Sequence, residues 1–286
     1  QTRDVPQKKA LLLGLSIRRH SVGYALMRFV DTAPFQFGLV DVGKADDVQQ
    51  KALEISAVLR DLKSKGCQKM ATELLDGVIP EPPPKGWRWF VSVDDSTLDR
   101  APPRSSKDSG SQRAIAMLQG LVIADCKRIF KNAPMLIHPR RSRLHFGVRG
   151  VGPSSRMEVL TLARKSIPEF PVVNHKSGAL DENTLLMSDA WASARYAQRV
   201  ELVQEKKKDP ILMEKIRRKV LGSKQLQRMS DVVEQLHPRN VGRDMAAVLE
   251  SRVQRLIDTE LHNQLAFERR ELRRKREDAA AEKPEF

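Results

Sequence analysis

Hydrophobic positions are arranged differently in the two halves of this chain. Near the start they form short dense runs. From Leu11 to Leu15 every residue except Gly14 is a leucine. A run with no polar face predicts a strand buried on both sides. The basic turn Arg18-Arg19-His20 leads to a second run, Tyr24–Val30, broken only by Arg28. So short a connection predicts an antiparallel hairpin. A third stretch, Phe35–Gly43, completes a meander over 10–17, 23–30 and 35–43.

The spacing then becomes helical. Ala52, Ile55, Val58, Leu59 and Leu62 line one face of a helix capped by Asp46 or Asp47 and running to about Lys65. Cys67–Leu75 is read as a fourth strand, parallel to its neighbour because a helix precedes it. Residues 78–110 carry Pro80, Pro82–Pro84, Pro102 and Pro103 around WRWFVSV and are read as a long insertion. Composition alone fits a disordered loop, whereas Trp87, Trp89 and Phe90 favour packing on a neighbour. A helix over Ser111–Phe130 and a strand at Pro134–His138 follow. Ser155 and Glu158 form a capping-box pattern for a helix to about Lys165. A short extended piece at Pro171–Asn174 precedes a helix that begins at Asp181 and passes residue 200. Beyond 203 the pattern is helical. One helix starts at Asp209-Pro210, a short one ends near Pro238, and a long one starts near Val241. The apolar stripe of that long helix fits either a partner-docking face or an ordinary core-facing one.

Charge narrows the class. The net charge is +15. Residues 201–286 hold 20 Lys and Arg against 16 Asp and Glu, which leaves +11 for residues 1–200. A basic globular part, rather than a basic tail alone, points to a polyanionic partner, nucleic acid first. No apolar run approaches the ~20 residues of a spanning helix, so no membrane partner is expected. Cys67 and Cys126 lack metal-ligand spacing and suit a reducing compartment. The six histidines show no zinc pattern. A basic chain whose first residue is Gln1 fits the loss of an organellar targeting peptide, and the mitochondrial matrix is the expected location.

Three strands, helix, parallel strand, helix, strand and closing helix is the ribonuclease-H-like order. Within it, GLSIRRHSVGYALM resembles the first hairpin of RuvC-type Holliday junction resolvases, MATELL their Glu-bearing fourth strand, and LLMSDAWASARYA their last helix. LIHPRRSRLHFGVRGVGPSSRMEVLTLA resembles the later strand and the basic loop after it. The resemblance spans residues 10–200 apart from 78–110, and fungal mitochondrial resolvases share the superfamily. It implies an α/β fold: a ribonuclease-H-like mixed five-stranded sheet flanked by helices, here with a helical C-terminal extension. The expected divisions are a lead-in over 1–9, the domain over 10–202 and the extension over 203–286.

The family's chemistry is phosphodiester hydrolysis with two Mg²⁺ ions held by carboxylates. Carried over by motif, the four family acids fall on Ser16, Glu73, Leu186 and Asp189, of which only Glu73 and Asp189 are acidic. A serine hydroxyl is a poor Mg²⁺ anchor and leucine is none. The site is therefore expected to be vestigial, with no cofactor, and Glu73 and Asp189 are the remaining metal candidates. Taken singly, Glu73 also fits a salt-bridged strand residue and Asp189 a solvated helix residue. Asp76, Asp94 and Asp95 are available as substitutes, which would leave a Mg²⁺-dependent resolvase.

The binding side is richer. Residues 131–170 hold eight Lys and Arg against two acids. Arg18, Arg19, Arg140, Arg141, Arg143, His145, Arg149 and Arg156 are the expected nucleic-acid contacts, because guanidinium groups pair with phosphate and rings stack on bases. The expectation is a non-catalytic scaffold for ribosomal RNA in an organellar ribonucleoprotein, most naturally the mitochondrial ribosome. Neighbouring proteins would meet the 78–110 insertion and the C-terminal helices. The alternatives are a nuclease acting on branched DNA and an assembly or interaction factor.

Overall fold

The computed structural model describes residues 10–43, 47–74, 88–95, 106–150, 152–174, 177, 180–223 and 245–281. The lead-in over 1–9, most of the 78–110 insertion and the short helix near Pro238 lie outside them.

Five strands form one mixed sheet in the order β3-β2-β1-β4-β5. They are β1 (Ala10–Ile17), β2 (Ser21–Arg28), β3 (Pro34–Asp41), β4 (Arg88–Asp94) and β5 (Met135–Ile137). The first three form the antiparallel meander, whereas β4 runs parallel to β1 and β5 parallel to β4. The result is the mixed five-stranded sheet that was expected. The helices of this part are α1 (Val48–Leu74), α2 (Ser106–Phe130), α3 (Pro139–His145), α4 (Pro153–Ser166) and α5 (Glu182–Lys207). Asp47 caps α1 by accepting from the Gln50 amide at 2.7 Å.

The fourth strand differs from the expectation. Cys67–Leu75 continues α1 through Leu74. Cys67, Met70, Ala71 and Leu74 recur at three- and four-residue spacing, which is helical, and Cys67 and Met70 are buried with the rest of the α1 stripe. The strand comes instead from the proline-flanked stretch. In β4, Trp89, Val91 and Val93 join the core that α1 and α2 cover, and Trp89 sits 4.8 Å from Phe130. The start of α4 also differs. Its N-cap is Gly152, which gives no side-chain cap, and the Ser155 hydroxyl donates to the Gly152 carbonyl within the helix. The proline at the first position sets the boundary, so no capping box forms.

The two faces of β1 are packed differently. Leu11, Leu13, Leu15 and Ile17 belong to the large apolar core. The opposite face, with Gly14 and Ser16, receives α5. A Cβ on Gly14 would stand 2.0 Å from the Ala190 carbonyl oxygen, and one on Gly23 2.5 Å from the Leu186 carbonyl carbon. The Ser193 hydroxyl donates to Ser92 Oγ across the same seam at 3.2 Å. Small residues on both sides let the helix backbone lie directly on the strands.

The chain divides into two compact units, 1–198 and 199–286. In the second, the end of α5, α6 (Pro210–Leu221) and α7 (Met245–Ala281) share a core of Val203, Ile216, Val220, Ile257, Leu261 and Leu265. Asp209 caps α6 by accepting from the amides of Ile211 and Leu212. Ion pairs between Lys206 and Glu268 and between Lys207 and Asp258 flank that core. No described helix is long and apolar enough to cross a membrane.

Candidate nucleic-acid interface and a buried acid cluster

At the C-terminal end of β1 and β4 the parallel register sets Ser16 directly beside Asp94. The Ser16 hydroxyl donates to Asp94 Oδ2 at 3.2 Å, and both residues are fully enclosed. Asp189 reaches the same place from α5, because the Gly14 and Gly23 contacts seat that helix on the sheet. It is 4% exposed and close enough to Asp94 for the two charges to repel.

Arginines surround these acids. Arg156, in the first turn of α4, donates from Nε to Asp189 Oδ2 at 2.7 Å and from a terminal nitrogen to Glu182 at 3.0 Å. Arg18 lies 3.9 Å from the same Asp189 oxygen. Arg143 on α3 is buried and near enough to Asp94 to favour its charged form. Burial is nevertheless the largest influence on Asp94. With the Asp189 charge it lifts the Asp94 pKa from 3.8 to about 7, against the opposing pull of Arg18, Arg143 and the Ser16 hydrogen bond. Burial also works against the Arg156 charge, but the Asp189 and Glu182 carboxylates outweigh it and raise the Arg156 pKa.

The expected acid positions are thus partly reassigned. Glu73 is not on a strand. It lies in the last turn of α1, and its side chain falls outside the described residues. The acid at the end of the central parallel strand is Asp94. Leu186 is buried where α5 crosses Gly23. The signal that could have found Asp94 was present in the sequence. RWFVSVDD is a dense apolar run ending in acids, the pattern already read as strand in ALLLGLS. The prolines on either side drew it into an insertion instead.

The donor set does not suit a pair of Mg²⁺ ions. One strand end offers a hydroxyl in place of a carboxylate, and the Asp189 carboxylate already accepts from a guanidinium. Among the described residues no three His, Cys, Asp or Glu side chains form a cation cage.

The expected nucleic-acid contacts separate into two groups. Arg18, Arg143 and Arg156 turn inward to the acids. Arg19, Arg140, Arg141 and Arg149 are exposed. His145 is half-buried, its ring 4.8 Å from Phe146 and 6.0 Å from Tyr196. The expected basic loop is partly helical, since Arg140, Arg141 and Arg143 belong to α3. His138 caps that helix by accepting from the Arg140 amide at Nδ1, and Phe146 anchors its end by stacking on Trp191 at 4.6 Å.

No protein-family model and no curated protein matches the chain. Solved structures align with it, among them two of RuvC from Thermus thermophilus. The one in complex with a Holliday junction substrate is 10% identical, covers 68% of this chain and 96% of its own, and gives a TM-score of 0.42. The other is 11% identical with the same coverage and a TM-score of 0.41.

Proposed function

We propose that this protein binds structured nucleic acid without cleaving it, as a structural component of an organellar ribonucleoprotein. The most natural setting is the mitochondrial ribosome, with ribosomal RNA as the ligand. The observation that carries the reading is the pairing of Arg156 with Asp189 at 2.7 Å, beside a serine at the end of β1. Guanidinium charge neutralises the carboxylate that a hydrolytic site would need for cations. The same arginines leave Arg140, Arg141 and Arg149 free to face solvent, and the +11 over residues 1–200 supplies the attraction for phosphate. Neighbouring proteins would meet the extension and the proline-rich segment.

A second reading is supported by Asp94. It brings a second acid to the sheet end, so a Mg²⁺-dependent nuclease acting on branched DNA is the alternative. One experiment separates the two. A structured RNA hairpin and a four-way DNA junction are titrated with the protein across a salt series, and the junction is also incubated with Mg²⁺ or Mn²⁺. The scaffold reading expects salt-sensitive binding, intact junctions, and loss of roughly 0.9 of salt slope per phosphate contact when Arg140, Arg141 and Arg149 become alanine. Metal-dependent junction cleavage that disappears in Asp94→Asn would replace it with the nuclease reading.

A further inference from the structure

The arginine that meets Asp189 and the arginine buried nearby come from separate elements. Arg156 belongs to the first turn of α4 and donates to Asp189 on α5, while the buried Arg143 belongs to α3. The chain between α3 and α4 carries Arg149, and α3 itself carries the exposed Arg140 and Arg141. This segment has little helical stability of its own. α3 is seven residues long, α4 has no side-chain cap, and Gly147 and Gly152 adopt φ values of 81° and 83°, in the left-handed region. Something outside the segment must hold its shape. Phe146 does so at one end by stacking on Trp191, and Val148 does so in the middle, being 4% exposed. At the other end a polar tether is formed by Arg156 on Asp189, with Glu182 on its outer side.

We propose that Asp189 is a positioning residue for polyanion binding. By holding Arg156 it fixes the start of α4 and, with Phe146 on Trp191 at the end of α3, presents Arg140, Arg141 and Arg149 as a preorganised phosphate-binding surface, and Arg156 itself serves as the clamp rather than as a phosphate contact. This rests on the nucleic-acid-binding reading. It also reverses the simple electrostatic expectation. If Asp189 merely added a negative charge beside a basic surface, removing it would tighten binding to phosphate. As the anchor of the clamp, its removal loosens the surface and weakens binding.

The test uses the full chain and a labelled structured RNA hairpin titrated over a salt series, with hydrogen exchange of the 139–156 amides followed in parallel. Asp189→Asn is expected to bind about five- to ten-fold more weakly at low salt, with a slope shallower by about 1–2, the loss of one or two phosphate contacts. Exchange over 139–156 should rise. Glu182→Gln, on the 67% exposed partner, should change binding less than two-fold, the scale of an ordinary surface pair. The double variant Arg156→Gln/Asp189→Asn replaces the ion pair by a neutral amide pair, so it guards against a loss of folding in the single one. It should bind within about two-fold of the unaltered protein despite losing a cation, whereas a direct phosphate contact at Arg156 would make it weaker than Asp189→Asn. Tighter or unchanged binding by Asp189→Asn, or a double variant weaker than the single, overturns the proposal and leaves the nucleic-acid reading standing. Absence of salt-dependent binding by the unaltered protein overturns both.

Discussion

Asp94 shows how one buried residue records its surroundings. Its neighbours are Ser16 on β1, Arg18 after it, Arg143 on α3 and Asp189 on α5. With a folded pKa of about 7 against an ordinary 3.8, the native state holds a proton that the unfolded chain releases. The stabilising contribution is therefore complete below about pH 3.8 and is lost as the pH rises through about 7. Asp94→Asn lacks this dependence. Urea unfolding at pH 5 and pH 8 should show the variant gaining on the unaltered protein as the pH rises. A difference between variant and unaltered protein that stays constant from pH 5 to pH 8 would mean that Arg18 and Arg143 keep Asp94 ionised throughout. The reassignment from Glu73 to Asp94 belongs at this scale too. The motif MATELL matched residue by residue, but its apolar spacing was helical, and spacing decides which acid reaches the strand end.

Among the elements, α5 is the one that assembles the site. Its small residues Ala190, Ser193 and Ala194 meet a strand face made small by Gly14 and Ser92. Close backbone approach brings Asp189 to the end of β1 and β4. Gly14→Ala would force a methyl against the Ala190 carbonyl oxygen at 2.0 Å, and a helix backbone cannot yield as a side chain does. The expected cost is about 1–3 kcal/mol, read as a lower urea midpoint. Gly120→Ala, where an added Cβ meets nothing within 4 Å, is the control and should not destabilise. Helix α3 makes the complementary point. As a basic loop its arginines would be equivalent. As a helix it buries Arg143 and exposes Arg140 and Arg141, so only some of the charge is available to a ligand.

For the whole molecule, the net charge of +15 is the property a large polyanion would sense. Residues 201–286 carry only +4 of it, so the sheet-bearing unit supplies most of the attraction. The protein should sediment with organellar ribosomal subunits at low salt and leave them as the salt rises, the behaviour of counterion release at phosphate contacts. Salt-independent sedimentation would point to protein–protein docking through the helical unit. Migration apart from ribosomal particles at every salt concentration would count against the ribosomal setting while leaving nucleic-acid binding to the hairpin titration.

The sequence by itself indicated the antiparallel meander and the alternation of helices and strands after it, but not which stretch forms the fourth strand. Dense apolar runs suit strands buried on both faces, helical spacings between them suit parallel crossovers, and the excess of basic residues favours an anionic partner. The absence of a carboxylate at Ser16 is likewise plain in the sequence. Only the tertiary structure decided which acid faces that serine and which arginines face inward. Asp94, Asp189 and Arg156 are distant along the chain, and no local propensity records that a glycine-lined seam will bring their charges together. Once buried there, each charge needs a partner, and that requirement divides the arginines between clamp and surface.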